Sequence, residues 1–119
     1  MRFRLWSILT VASTVLLSGV ILVMGVAPTV PKPLRIFNDK VLHASGYGVL
    51  GFLATESLAV LRWGPTPPLG GAAYAVLHGA TLEAMQSLTP TRDAEWGDVL
   101  ADAVGGSLGA GLWLLWRRR

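Results

Sequence analysis

Cysteine is absent from the chain. No disulfide can brace the fold, no thiolate can hold a metal, and no cysteine nucleophile is available. Charge is also scarce, at 14% of residues against about 25% in an ordinary soluble domain. With so few water-facing groups, a conventional soluble surface is not expected. A G-x-S-x-G string occurs at Gly105-Gly106-Ser107-Leu108-Gly109, but inside an apolar run rather than at a strand-to-helix turn, so it is no nucleophile elbow, and there is no H-E-x-x-H pair. The chain also lacks the separated arginine- and histidine-bearing motifs expected of membrane lipid phosphatases. No repeat or low-complexity segment stands out. The ten basic residues give a net charge of +3, but five of them are Arg2, Arg4 and Arg117–Arg119 at the two ends. Basic ends that flank apolar runs fit a membrane better than a nucleic-acid groove.

Apolar residues are abundant, at 52% of the 119 positions, and they fall into four runs. Leu5–Val26 has no charged residue and at about 1.5 Å per residue reaches roughly 33 Å, enough to cross a bilayer core of about 30 Å. Arg2, Arg4 and Gly25-Val26-Ala27 also resemble a cleavable signal peptide. The run is too long for one, and Pro28 would follow the cut directly. Pro28, Pro31 and Pro33 then break the helix. Further runs cover about 41–61, 69–88 and 98–116. They are separated by Arg62-Trp63-Gly64-Pro65-Thr66-Pro67-Pro68 and by the charged loop Thr89–Gly97.

The expected fold is one all-α domain over 1–119, an integral membrane four-helix bundle. All five tryptophans, at 6, 63, 96, 113 and 116, lie near the ends of these runs, where an aromatic belt belongs. Placing both termini and Arg62 in the cytoplasm puts six basic residues there, against Lys32, Arg35, Lys40 and Arg92 outside. This favours an N-in, C-in topology.

On that topology, polar residues from three helices meet at the outer end. Asp39, Lys40 and His43 begin the second run, Glu83 and Gln86 end the third, and Asp98 and Asp102 begin the fourth. At about 1.5 Å per residue, Glu83, His43 and Asp102 lie roughly 7, 3 and 6 Å inside the outer boundary. Intramembrane carboxylates rarely face lipid, so a polar pocket open to the outside is expected. Each residue also has a simpler role. His43 can pair with Asp39 one turn away, and Asp98 can cap the fourth helix. Glu83 needs a partner, which Arg92, His43 or Lys40 could supply, or else a proton. Gly105 and Gly109 form a G-x-x-x-G face, matched by Gly46, Gly48 and Gly51 on the second helix, so these two helices should cross closely. His78 and Glu56 read as packing or snorkelling groups.

Asp39-Lys40-x-x-His43 with Gly46-Tyr47 and Gly51-Phe52 resembles the second-helix motif of the VanZ-like family. Glu83-x-x-Gln86, Pro90-x-Arg92 and Asp98-x-x-x-Asp102-x-x-Gly105-x-x-x-Gly109 extend the resemblance across about 39–109. Many members carry an acid just before the glutamate, where this chain has Leu82. The resemblance implies a small multi-pass protein of the bacterial plasma (inner) membrane. The family's founding members are associated with low-level resistance to teicoplanin, an antibiotic acting at the cell envelope. It implies a place and a phenotype class rather than a reaction.

Three functions follow from these residues. In the first, Lys40, Arg92 and His43 hold an anionic head group of an envelope lipid or precursor while Asp39, Glu83, Gln86, Asp98 and Asp102 orient them. In the second, the polar layer is packing within a structural or assembly subunit, with a membrane protein or a second copy as partner. In the third, the protein is a membrane hydrolase or transferase with His43 and Glu83 as candidate acid–base groups, served by a divalent metal on Glu83, Asp98 and Asp102. No cofactor is implied, no metal set is assigned, and an enzyme is the less favoured reading.

Overall fold

The computed structural model describes residues 2–28, 33, 36, 38–91 and 93–119. It is an all-α four-helix bundle with α1 (Arg2–Val26), α2 (Asp39–Val60), α3 (Pro67–Ser87) and α4 (Trp96–Arg117). Successive helices are antiparallel, so they run up, down, up and down. Three pack as a tight group, with α2 against both α3 and α4, while α1 lies along α2 and α3.

Local chemistry sets the helix boundaries. Asn38 caps α2 by accepting the Lys40 N–H at 2.8 Å, so the helix begins two residues before the apolar run does. Its far end closes with Trp63 N–H to Leu58 O at 2.9 Å and Arg62 N–H to Ala59 O at 3.1 Å. This is a Schellman arrangement in which Arg62, at φ 54°, takes the left-handed position usually given to glycine. Pro67 opens α3 where a missing N–H costs nothing. Only α1 and α4, among the described residues, are long and apolar enough to cross a membrane. The histidines and acids of α2 and α3 keep those two helices below that mark.

A small apolar core of Tyr47, Leu50, Ala75 and Leu82 is flanked by an unusual number of small and polar buried residues. The buried residues of α1 are Thr10, Thr14 and Ser18, while Ile8, Val15, Leu16 and Val23 are exposed. On α4, Asp98, Asp102, Gly105, Gly106 and Gly109 are buried, and Leu100, Leu108 and Leu115 are exposed. The buried hydroxyls bridge helices: Thr14 Oγ1 lies 2.8 Å from Ser57 Oγ, and Ser18 Oγ lies 2.7 Å from Tyr74 Oη.

Small residues let α2 and α4 touch backbone to backbone. A Cβ on Gly105 would overlap the Ala44 backbone, and one on Gly109 would overlap Gly48. Gly51 meets Gly106 in the same seam, whereas Gly46 faces Ile21 of α1 across open space. The expected α2–α4 role of Gly46 therefore belongs to Gly48, because the crossing uses the opposite edge of α2.

At the end that carries both termini, Glu56 is a structural clamp rather than a snorkelling group. Its Oε1 accepts Trp6 Nε1–H at 2.9 Å and its Oε2 accepts Trp113 Nε1–H at 2.5 Å, joining α1, α2 and α4. The Arg117 guanidinium lies over the Trp113 ring, 5.5 Å from its centroid. Trp113 is thus buried and is not part of an exposed belt.

Candidate functional site

The opposite end of the bundle gathers the polar residues of three helices. The first turns of α2 carry Asp39, Lys40 and His43, and the last turn of α3 carries Glu83 and Gln86. The first turns of α4 carry Asp98 and Asp102. The spacing of three or four residues puts each set on one helix face, and antiparallel packing brings the faces together. Among these residues Glu83, Gln86, Asp98 and Asp102 are buried and Asp39 is exposed.

His43 sits at the centre. Its Nδ1 lies 2.7 Å from Asp102 Oδ1, so an Nδ1–H donor leaves Nε2 with a free lone pair. Nε2 faces Asp98 Oδ2 at 3.5 Å and Asp39 Oδ2 at 3.9 Å. Asp39, expected to be the simple partner of His43, is the more distant contact. Asp98 follows Trp96 and does not cap α4: Glu95 occupies the cap position, and Asp98 Oδ1 accepts from Lys40 Nζ. Its negative charge still suits the first turn of the helix.

Lys40 is not a free cation. Its Nζ donates to Asp98 and, at 2.7 Å, to Glu95 Oε2. These two hydrogen bonds, Asp98 first, hold the ammonium well above the usual lysine range. The carboxylate of Glu83 takes none of its expected cationic partners among the described residues. Its Oε1 accepts the backbone N–H of Glu95 instead. Arg92 lies outside the described residues. Gln86 Nε2 donates to Gly25 O at 2.8 Å and pins the end of α1 to α3.

Three buried oxygens are left without a hydrogen-bond partner among the described residues: Glu83 Oε2, Gln86 Oε1 and Asp102 Oδ2. Buried polar atoms are rarely abandoned in folded proteins, and here all three lie at one end of one bundle.

Gln86 lines a cavity of about 600 Å³, within the ordinary range for a small-molecule site. Leu17, Val20 and Ile21 of α1 with Leu42 of α2 form its apolar wall. Asp39, His43, Gln86 and Asp98 line its polar end, joined by Asp93 and Glu95 of the α3–α4 loop. The cavity is therefore amphipathic and, over its described lining, acidic. Among the described residues, the grouping with metal-ligand spacing is Asp39, His43 and Asp98, whose ligand atoms lie within 4.8 Å of one another, rather than Glu83, Asp98 and Asp102.

Several partnerships at this end were not anticipated from sequence. Tyr47 is buried, and its hydroxyl donates to His78 Nδ1 at 2.8 Å. His78 Nε2–H in turn reaches Ser18 O at 3.0 Å, which fixes its tautomer and makes it a bridge from α3 to α1. Asp93 and Glu95 sit in a loop without periodicity, so only their charge marked them. No protein-family model matches the chain, and no curated protein or solved structure matches it.

Proposed function

We propose that the chain is a VanZ-like, four-span protein of the bacterial inner membrane. Its outward cavity binds the anionic head group of an envelope lipid or lipid-linked precursor. The carrying observation is the cavity itself: an apolar wall on α1 runs into a polar end built by α2, α3 and α4. A lipid has the same two-part shape, with a chain for the wall and a head for the polar end.

The apolar exterior supports the membrane part of this reading, since exposed leucines around buried threonines and glycines suit apolar surroundings. Charge supports the orientation. Six of the seven acids lie on the cavity side, whereas Arg2, Arg4, Arg62 and Arg117–Arg119 lie at the Glu56 end. The helices α2 and α3 span because their polar faces are turned into the protein.

Native mass spectrometry of the protein released from nanodiscs tests the binding. The wild type should retain one phosphate-bearing lipid. Gly46 lines the cavity, and a Cβ there meets nothing closer than Ile21 Cδ1 at 4.0 Å. Gly46→Leu should therefore fill the cavity without disturbing the fold and lose the lipid. Retention of the same lipid by Gly46→Leu, or no lipid on the wild type, rejects the reading.

A further inference from the structure

An anionic head group faces an electrostatic obstacle in this cavity. Asp39, Asp93, Glu95 and Asp98 line it, and the neighbouring Lys40 is already engaged by two of them. A phosphate brought up to these carboxylates is repelled unless a cation stands between them.

We propose that Asp39, His43 and Asp98 form a site for a divalent first-row metal ion at the polar end of the cavity, with its remaining positions open to a phosphate oxygen of the head group. The second half of this proposal rests on the lipid reading above, and the first does not.

The donor set has the chemistry of such a site. A neutral imidazole with two carboxylates suits Zn²⁺ or Mn²⁺. Metal–ligand bonds of about 2.0–2.2 Å place tetrahedral ligands about 3.4 Å apart. His43 Nε2 lies 3.5 Å from Asp98 Oδ2 and 3.9 Å from Asp39 Oδ2. Asp39 is exposed and at the first residue of α2, so its side chain can move the remaining distance.

The surroundings are organised in the same sense. Metal-binding histidines typically donate their second ring N–H to a carboxylate, which fixes the tautomer and makes the other nitrogen a better ligand. Here His43 Nδ1–H donates to Asp102, which is fully buried. Lys40 occupies Asp98 Oδ1 and leaves Oδ2 for the ion. An independent pointer to a missing ligand comes from α3. Gln86 is only 5% exposed, lines the same cavity, and has no partner for Oε1 among the described residues. A metal-bound water or head-group hydroxyl at this spot would satisfy it.

The test is calorimetric titration of the full chain, purified in detergent and stripped of lipid, with Zn²⁺ and with Mn²⁺. One ion per chain should bind. Asp39→Asn should weaken binding more than about tenfold, and Asp102→Asn about 10–100-fold through the loss of His43 orientation. Asp39 is exposed, so its variant keeps the test independent of folding. No saturable binding by either ion, or wild-type affinity in Asp39→Asn, overturns the metal site. Because lipid is absent, that failure leaves the lipid reading untouched. A chelator should then release the lipid retained by undepleted protein. Lipid that stays after the metal is removed overturns the bridging role, and loss of lipid binding with metal binding intact points to failure of the head-group reading alone.

Discussion

The two ends of this bundle each bury carboxylates, and they treat them in opposite ways. At one end both oxygens of Glu56 accept an indole N–H, from Trp6 and from Trp113, and the Arg117 Nε lies 3.9 Å away. At the other end Glu83, Gln86 and Asp102 each keep an oxygen without a partner among the described residues, and Gln86 lines a cavity. A buried acid whose valences are filled holds helices together. Buried acids with open valences describe a place prepared for something else. The same residue type is thus structural or available according to what its neighbours donate.

That contrast can be broken by substitution. The largest effect is expected at Glu56→Ala, which strands the buried Trp113 indole N–H, releases the exposed Trp6 and leaves a cavity, and should cost about 3–5 kcal/mol of stability in detergent. Gly105→Ala should cost about 1–3 kcal/mol, because its methyl group must push the α2 backbone at Ala44 away from α4. Trp113→Phe removes one of the two donors to Glu56 and should cost about 1.5–3 kcal/mol, the worth of a hydrogen bond to a charged group. Arg62→Gly should change stability by less than about 1 kcal/mol, since it relieves a left-handed backbone but frees the unfolded chain. Thermal melting followed by circular dichroism reads all four.

Lys40 offers a pH-dependent version of the same contrast. Its ammonium is held above the ordinary lysine value by Asp98 and Glu95, so this contact stabilises fully below the unfolded value of about 10.4. The contribution is lost only as pH rises from there through the folded value. Melting temperature should therefore not respond to Lys40 between about pH 7 and pH 9. Lys40→Gln should abolish the part of any alkaline drop that the lysine causes.

Much of the cavity end was legible in the sequence because helical spacing does the work. Asp39 and His43, Glu83 and Gln86, and Asp98 and Asp102 are each one turn apart, and short loops bring the three pairs to one level. Partnerships were less legible. His43 reaches 59 residues along the chain to Asp102, and Glu83 takes a backbone N–H from the loop. Neither choice leaves a local pattern. The Glu56 clamp was hidden for a related reason. Glu56 stands alone in an apolar run, and Trp6 and Trp113, 50 and 57 residues away, look like any interfacial tryptophans. Gly46 and Gly48 both fit a small-residue face, and only the crossing geometry selects Gly48.

The most direct test compares one isosteric change at each end, Glu56→Gln and Glu83→Gln, by thermal melting in the same detergent. Glutamine at position 56 sets an amide N–H₂ against an indole N–H and should lose about 2–3 kcal/mol. At position 83 the amide oxygen still accepts from Glu95 N–H, and an unpartnered carboxylate oxygen is replaced by a neutral group. That variant should melt within about 1 kcal/mol of the wild type. A collapse of Glu83→Gln with Glu56→Gln unharmed would contradict the account, because the cavity end would then be what holds the bundle together.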